Sequence, residues 1–150
     1  MKYVVLAMIT FFMAAKVQAG NNPDAILGKW AALPKKNLVV EVFRVGKEYK
    51  ARVAWFNDTD DPSKPMKLRT DEKNPDPALR NRKLLGLEVL TNMKYNAATN
   101  RWESGNIYDA KSGRTWSSSA TLTKDGTLQV RGFWHFEFIG KNMNFIKASP

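Results

Sequence analysis

The residues best equipped for chemistry lie between Asp71 and Arg82, in the stretch DEKNPDPALRNR. Carboxylates, two amides and two guanidinium groups sit close together there. A planar guanidinium binds carboxylate or phosphate through two parallel hydrogen bonds, so Arg80 and Arg82 suit an anionic group. Asp71, Asn74 and Asp76 add polar contacts. The same residues also have a mechanical role open to them. Asp76-Pro77 is a good helix start, because aspartate accepts from unpaired amides and proline fits the first helical position. One short helical turn follows near residues 76–82, with Leu79 facing inward. Asn74 precedes Pro75 and is pushed to extended geometry. Arg80 and Arg82 can pair with Asp71, Glu72 or Asp76, each exposed pair contributing about 0–1 kcal/mol. The segment is either a capped plug over one end of the fold or the polar mouth of a cavity.

A second candidate is WESGNIYDAKSGRTW, Trp102–Trp116. Strand alternation puts Trp102, Ser104, Asn106 and Tyr108 on one face. Facing inward, they make an aromatic cavity wall with a few polar groups, as in small-molecule sites. Facing outward, they are cross-strand pairs. There are five tryptophans in the chain. Most are expected in the core, since burying an aromatic stabilises by about 1.5–3 kcal/mol. One or two remain for a ligand wall.

His135 is the sole histidine, which excludes a multi-histidine metal site. Glu137 lies on the same strand face, and Ser117–Ser119 are available for a Ser–His–acid arrangement. No GxSxG elbow accompanies them. DTDDPS (Asp58–Ser63) clusters acids without the spacing of a calcium loop, so a solvated turn is expected. Phosphate-cradling and dinucleotide fingerprints are missing, and no cofactor is expected.

The elements that must position these groups are strands. The first nineteen residues, MKYVVLAMITFFMAAKVQA, have a basic start, a short apolar run and a small-x-small ending. They read as a secretory signal, leaving residues 20–150 as one domain without a membrane-spanning segment. The net charge of +10 falls to +8 without Lys2 and Lys16. Export makes nucleic acid an unexpected partner and leaves anionic envelope surfaces as a weak one. Without cysteine the fold stands on its core and its sheet alone.

Alternating or β-branched runs cover Asn37–Val45, Glu48–Phe56, Leu84–Asn92, Asn100–Asp109, Arg114–Thr123 and Thr127–Phe138. A short first strand lies around Trp30, and MNFIK closes the chain. GK, KSGR, KDG and GKN supply turns. Consecutive hairpins predict an all-β, antiparallel, up-and-down barrel of eight strands, which can hold packed side chains or one small ligand.

Two resemblances rest on these residues. Gly28-Lys29-Trp30 resembles the Gly-x-Trp signature of lipocalin-type barrels. That likeness implies a tryptophan closing the narrow end under a cation from the last strands, here Arg131 or Lys147. More of the chain is similar to an exported bacterial family, domain of unknown function 2147. The similarity rests on Gly28-x-Trp30, Asp71–Leu87, Trp102–Trp116 and LQVRGF (Leu128–Phe133). Ala110, Trp116, Phe145 and Lys147 depart from the family's usual residues. The resemblance implies a lipocalin-like barrel and an envelope location, most naturally the periplasm, rather than a reaction.

The expected function is non-catalytic binding of a small amphipathic or anionic ligand. The candidate ligand-binding residues are Asn74, Asp76, Arg80, Arg82, Trp102, Tyr108, Trp116 and Arg131. The alternatives are a hydrolase of an envelope component, or an interaction module that uses the basic surface.

Overall fold

The computed structural model describes residues 21–149, so the expected secretory signal, residues 1–19, lies outside the described residues. The alternating runs become β1 (Gly28–Ala32), β2 (Leu38–Val45), β3 (Glu48–Phe56), β4 (Glu88–Asn96), β5 (Arg101–Asp109), β6 (Arg114–Leu122), β7 (Leu128–Phe133) and β8 (Gly140–Lys147). Each pairs antiparallel with the next. β8 returns to β1 through Trp30↔Lys147, Ala31↔Ile146 and Ala32↔Phe145, closing the barrel. The all-β, eight-stranded up-and-down fold is the one expected. Closure removes the unpaired strand edges that invite association. Among the described residues, no helix is long and apolar enough to cross a membrane.

The two ends of the barrel are built differently. One carries the short connections 46–47, 97–100 and 123–127 together with the segment before β1. There Pro23–Ile26 forms a 3₁₀ turn, capped by the Asn22 side chain, and inserts Ile26 into the core. The Trp30 indole donates to the Ile26 carbonyl at 2.8 Å, and the Trp102 indole to that of Pro23 at 3.1 Å. Asp24 accepts from Arg44 and from the Tyr49 hydroxyl, each at 2.8 Å. Lys147 sits 4.5 Å above the Trp30 ring and donates to the Leu27 carbonyl. The cation over the closing tryptophan is therefore Lys147, and Arg131 lies elsewhere.

Behind this closure Tyr49, Leu90, Met93, Trp102, Leu128 and Phe145 pack as the core. Each large side chain buried there stabilises by about 1.5–3 kcal/mol. Only Trp30 and Trp102 of the five tryptophans are fully buried. Trp55 and Trp134 are exposed and Trp116 is half-buried, so the expectation of a mostly buried set is corrected.

The structure corrects the simple periodicity in four more places. β4 begins at Glu88 rather than Leu84. Residues 84–87 instead form a turn in which Leu87 bonds back to Leu84, and Gly86 supplies φ of 83°. In β5, Ser104 adopts φ of 60° and the register slips between Trp102 and Gly105. That bulge splits the expected face: Trp102, Gly105 and Ile107 point inward, while Asn106 and Tyr108 point outward. β7 ends at Phe133 rather than Phe138, because Gly140 already pairs with Phe133 and residues 134–139 must turn the chain. The helical turn covers only Pro77–Leu79, and Leu79 is exposed rather than inward.

Candidate functional site

The long connection 57–87 leaves β3, reaches the β5–β6 turn and returns to β4. Its anchor is Asp71, which is 0% exposed. Tyr108 donates to Asp71 Oδ1 at 2.6 Å. Asn74 Nδ2 and Arg82 Nε donate to Oδ2 at 2.8 and 2.9 Å. The Arg82 guanidinium also lies 5.5 Å from the Tyr108 ring centroid. Burial opposes charge on Asp71, but the hydrogen bonds from Tyr108, Asn74 and Arg82 outweigh it and hold the carboxyl below the usual range. Burial, together with the bond to Asp71, pushes the Tyr108 hydroxyl upward.

Backbone bonds fix the loop around this carboxylate. Asp71 N–H donates to the Arg82 carbonyl at 3.0 Å. The Asn74 side chain accepts from Asp76 N–H at 2.9 Å, and Arg80 Nε donates to the Asn74 carbonyl at 2.8 Å. Asp76 accepts from Ala78 N–H at 2.9 Å, the cap expected from Asp76-Pro77. The far side meets Gly113, whose φ of 71° lets the β5–β6 turn lie against the Lys73 backbone. The two most distinctive motifs of the sequence are thus two halves of one clasp.

The same end of the barrel is open. Directly paired strand residues point to the same face. Met143 pairs with Val130, which pairs with Ala120. Lys141 pairs with Gly132, which pairs with Ser118. Ile107 pairs with Trp116 on the same inward row. Met143 is nonetheless 45% exposed and Lys141 is exposed, so solvent reaches the inner wall here. Deeper in, Ser118 Oγ is buried with no hydrogen-bond partner among the described residues. Outside the barrel, an open depression of about 390 Å³ is lined by Arg82, Lys83, Leu85, Gly86, Leu87 and Glu88.

The eight candidate residues therefore fall in four places. Asn74, Asp76, Arg80, Arg82 and Tyr108 meet in the clasp. Trp102 is in the core, against Tyr49 and Tyr95. Trp116 lies on the inward row at the open rim, with Trp134 edge-on at 5.7 Å. Arg131 faces outward and holds the β7–β8 loop, donating to the Glu137 and Phe138 carbonyls and to Asn142. Nothing in the sequence singles out Asp71 above its neighbours or Ser118 above Ser117 and Ser119, or Lys141 and Met143 at all. Only strand register, known after folding, brings Ser118, Lys141 and Met143 to one face.

The possible acid–base groups are held apart. Glu137 pairs with Arg101 and accepts from Ser119 at 2.8 Å. The Arg101 and Ser119 bonds hold its carboxyl below the usual range, which makes it a weaker base. His135 packs edge-on against Trp134 and does not complete a Ser–His–acid arrangement with either. Asp58, Asp60 and Asp61 fold around a turn. Arg69 pairs with Asp60 at 2.8 Å and donates to the Asp58 and Asp61 carbonyls. Among the described residues, no cluster of three or more histidine, aspartate or glutamate side chains is arranged to hold a metal.

The closed eight-stranded barrel, with a tryptophan under a cation at its sealed end, has a lipocalin-like fold. A solved structure described as "Protein HP1028 from the human pathogen Helicobacter pylori belongs to the lipocalin family" matches with a TM-score of 0.69, covering 83% of this chain and 83% of that one at 20% identity. No curated protein matches the chain. Residues 28–147 match the family described as "Uncharacterized protein conserved in bacteria (DUF2147)", and the chain belongs to that family.

Proposed function

We propose that this is an exported periplasmic protein that binds a small amphipathic or anionic molecule at the open end of its barrel, without catalysing a reaction. Met143 carries the reading. Its register places it on the interior row, yet it is 45% exposed, so a molecule entering from solvent meets it. Ile107, Trp116 and Met143 offer an apolar wall, and Lys141 offers a cation at the rim. That combination fits an apolar body with an anionic head. An eight-stranded barrel is wide enough to hold one small ligand. In this reading Asn74, Asp76, Arg82 and Tyr108 serve by fixing the rim's shape, while Arg80, exposed beside them, adds positive charge.

The test is native mass spectrometry of protein purified from its own compartment, followed by titration with laurate as a simple amphipathic anion. A co-purified small molecule or a one-to-one laurate adduct is expected. The laurate adduct should weaken about tenfold or more in Met143→Glu, where a negative charge enters the apolar wall. Failure to form any adduct at millimolar laurate, with nothing co-purified, would reject the proposal.

A further inference from the structure

The β7–β8 loop has its polarity turned inside out. Residues 134–139 read WHFEFI. Trp134, Phe136, Phe138 and Ile139 are 59%, 59%, 78% and 67% exposed. The loop's one acid, Glu137, is turned back onto the barrel wall between Arg101 and Ser119. Arg131 grips the loop backbone at the Glu137 and Phe138 carbonyls. Water alone would favour the reverse arrangement, with glutamate outward and aromatics packed. Single exposed apolar residues are ordinary, but four in six positions form a patch of the kind that marks an interaction site. The aromatics are also ordered among themselves: Trp134 meets Trp116 edge-on, and Phe136 stacks on Phe138 with centroids 5.5 Å apart. An ion pair and two gripped carbonyls hold this patch outward.

The charge around the patch indicates what covers it. Lys35 and Lys36 lie in the connection 33–37, Lys111 in 110–113, and Arg114 and Lys141 begin the neighbouring strands. All five are exposed at the same end of the barrel. None forms an ion pair among the described residues. Glu137, the one acid of the three short connections at this end, is neutralised by Arg101. A second copy of this chain would set like charge against like charge. An anionic bilayer meets both features, since aromatic side chains partition to the headgroup region and nearby lysines and arginines are drawn to a negative surface. We infer that the β7–β8 loop docks the open end of the barrel onto an anionic phospholipid bilayer, with Phe136, Phe138 and Ile139 entering the interface and the surrounding cations facing the phosphates. This docking goes beyond ligand binding and does not depend on it.

Flotation with vesicles tests it directly. Residues 20–150 should float with vesicles of phosphatidylethanolamine and phosphatidylglycerol, and much less with pure phosphatidylcholine. Raising salt from 0.1 to 1 M should release part of the protein, because the screening length shrinks from about 10 to about 3 Å. The double variant Phe136→Ser/Phe138→Ser should partition about tenfold less, with its melting temperature and its laurate adduct unchanged. Met143→Gln, which puts a polar group in the apolar wall without adding charge, should weaken laurate binding and float like the parent, so loss of laurate binding and loss of flotation fail separately. A parent protein that stays with the soluble fraction overturns the inference, as does a double variant that floats equally well. A parent that sediments as a dimer while the double variant sediments as a monomer also overturns it, assigning the patch to self-association.

Discussion

Gly113 lies so close to Lys73 that a Cβ at position 113 would stand 2.0 Å from the Lys73 carbonyl oxygen. The clasp between the long connection and the β5–β6 turn is therefore a backbone-to-backbone fit. Gly113→Ala must both move Lys73 and hold φ of 71° with a side chain present. A loss of about 2 kcal/mol or more is expected in urea denaturation. Gly46 is the control, with φ of 60° and open space around it, so Gly46→Ala should lose only about 1 kcal/mol. Equal losses at both positions would mean that the clasp adds nothing.

Tyr108→Phe removes one of the three side-chain donors to a buried carboxylate. The cost expected is about 1–3 kcal/mol. Asp71→Ala strands Arg82 and should cost about 3 kcal/mol, the low end for a broken buried pair because Arg82 itself is partly exposed. Thermal melts of both variants give the order, and a Tyr108→Phe protein as stable as the parent would remove the hydroxyl from the clasp.

Acid should loosen the same clasp. The Asp71 carboxyl is held below its unfolded value, so its contribution is complete above the ordinary aspartate value of about 3.9 and is lost as pH falls through the depressed folded value. Tyr108 works in the opposite sense. Its raised value keeps its contribution complete below about pH 10 and loses it as pH rises through the folded value. Urea midpoints from pH 7 down to pH 2 should fall less steeply in Asp71→Asn than in the parent.

Ser118→Ala should stabilise the protein by about 1 kcal/mol, because it removes a buried hydroxyl that lacks a partner. A lower melting temperature in Ser118→Ala would show instead that the hydroxyl is bonded in solution.

At the sealed end, Lys147→Met removes the cation above Trp30 and the bond to the Leu27 carbonyl. About 1 kcal/mol should be lost, and Lys147→Arg should recover most of it. Tryptophan fluorescence during denaturation follows both, and a fully stable Lys147→Met would leave the seal to packing alone.

The sequence carries the barrel well wherever the backbone is regular. Glu48–Phe56 becomes a strand with those limits, and Gly46-Lys47 makes the tight turn before it. Asp76 caps its turn as its chemistry demands. The irregular places escape because nothing local marks them. Asn92 and Ser104 take positive φ of 61° and 60° without being glycine, and each reverses the inward face of its strand. The end of β7 is set by where β8 begins, not by any residue of β7. The Asp71 anchor is illegible for a similar reason: its donors come from 3, 11 and 37 residues away, and only the folded chain brings them together. The inward placement of Lys141, Met143 and Ser118 depends on register across three strands, which no single stretch encodes.

The seam between β1 and β8 has a consequence for how the chain reaches this form. Trp30 finds its partner at Lys147, close to the last described residue. Apart from β3 and β4 with the long connection between them, the other strand pairs are joined by short turns and can zip locally, but the seam must bring together parts of the chain more than a hundred positions apart. Such long-range pairing bears the largest loop-closure cost and slows folding. Until the final strand arrives, the growing sheet has two bare edges, and neither Trp30 nor the Pro23–Ile26 turn has its lysine lid. The barrel should therefore be sealed in one late event, and a chain cut before Phe145 should accumulate as an open sheet that never acquires its floor.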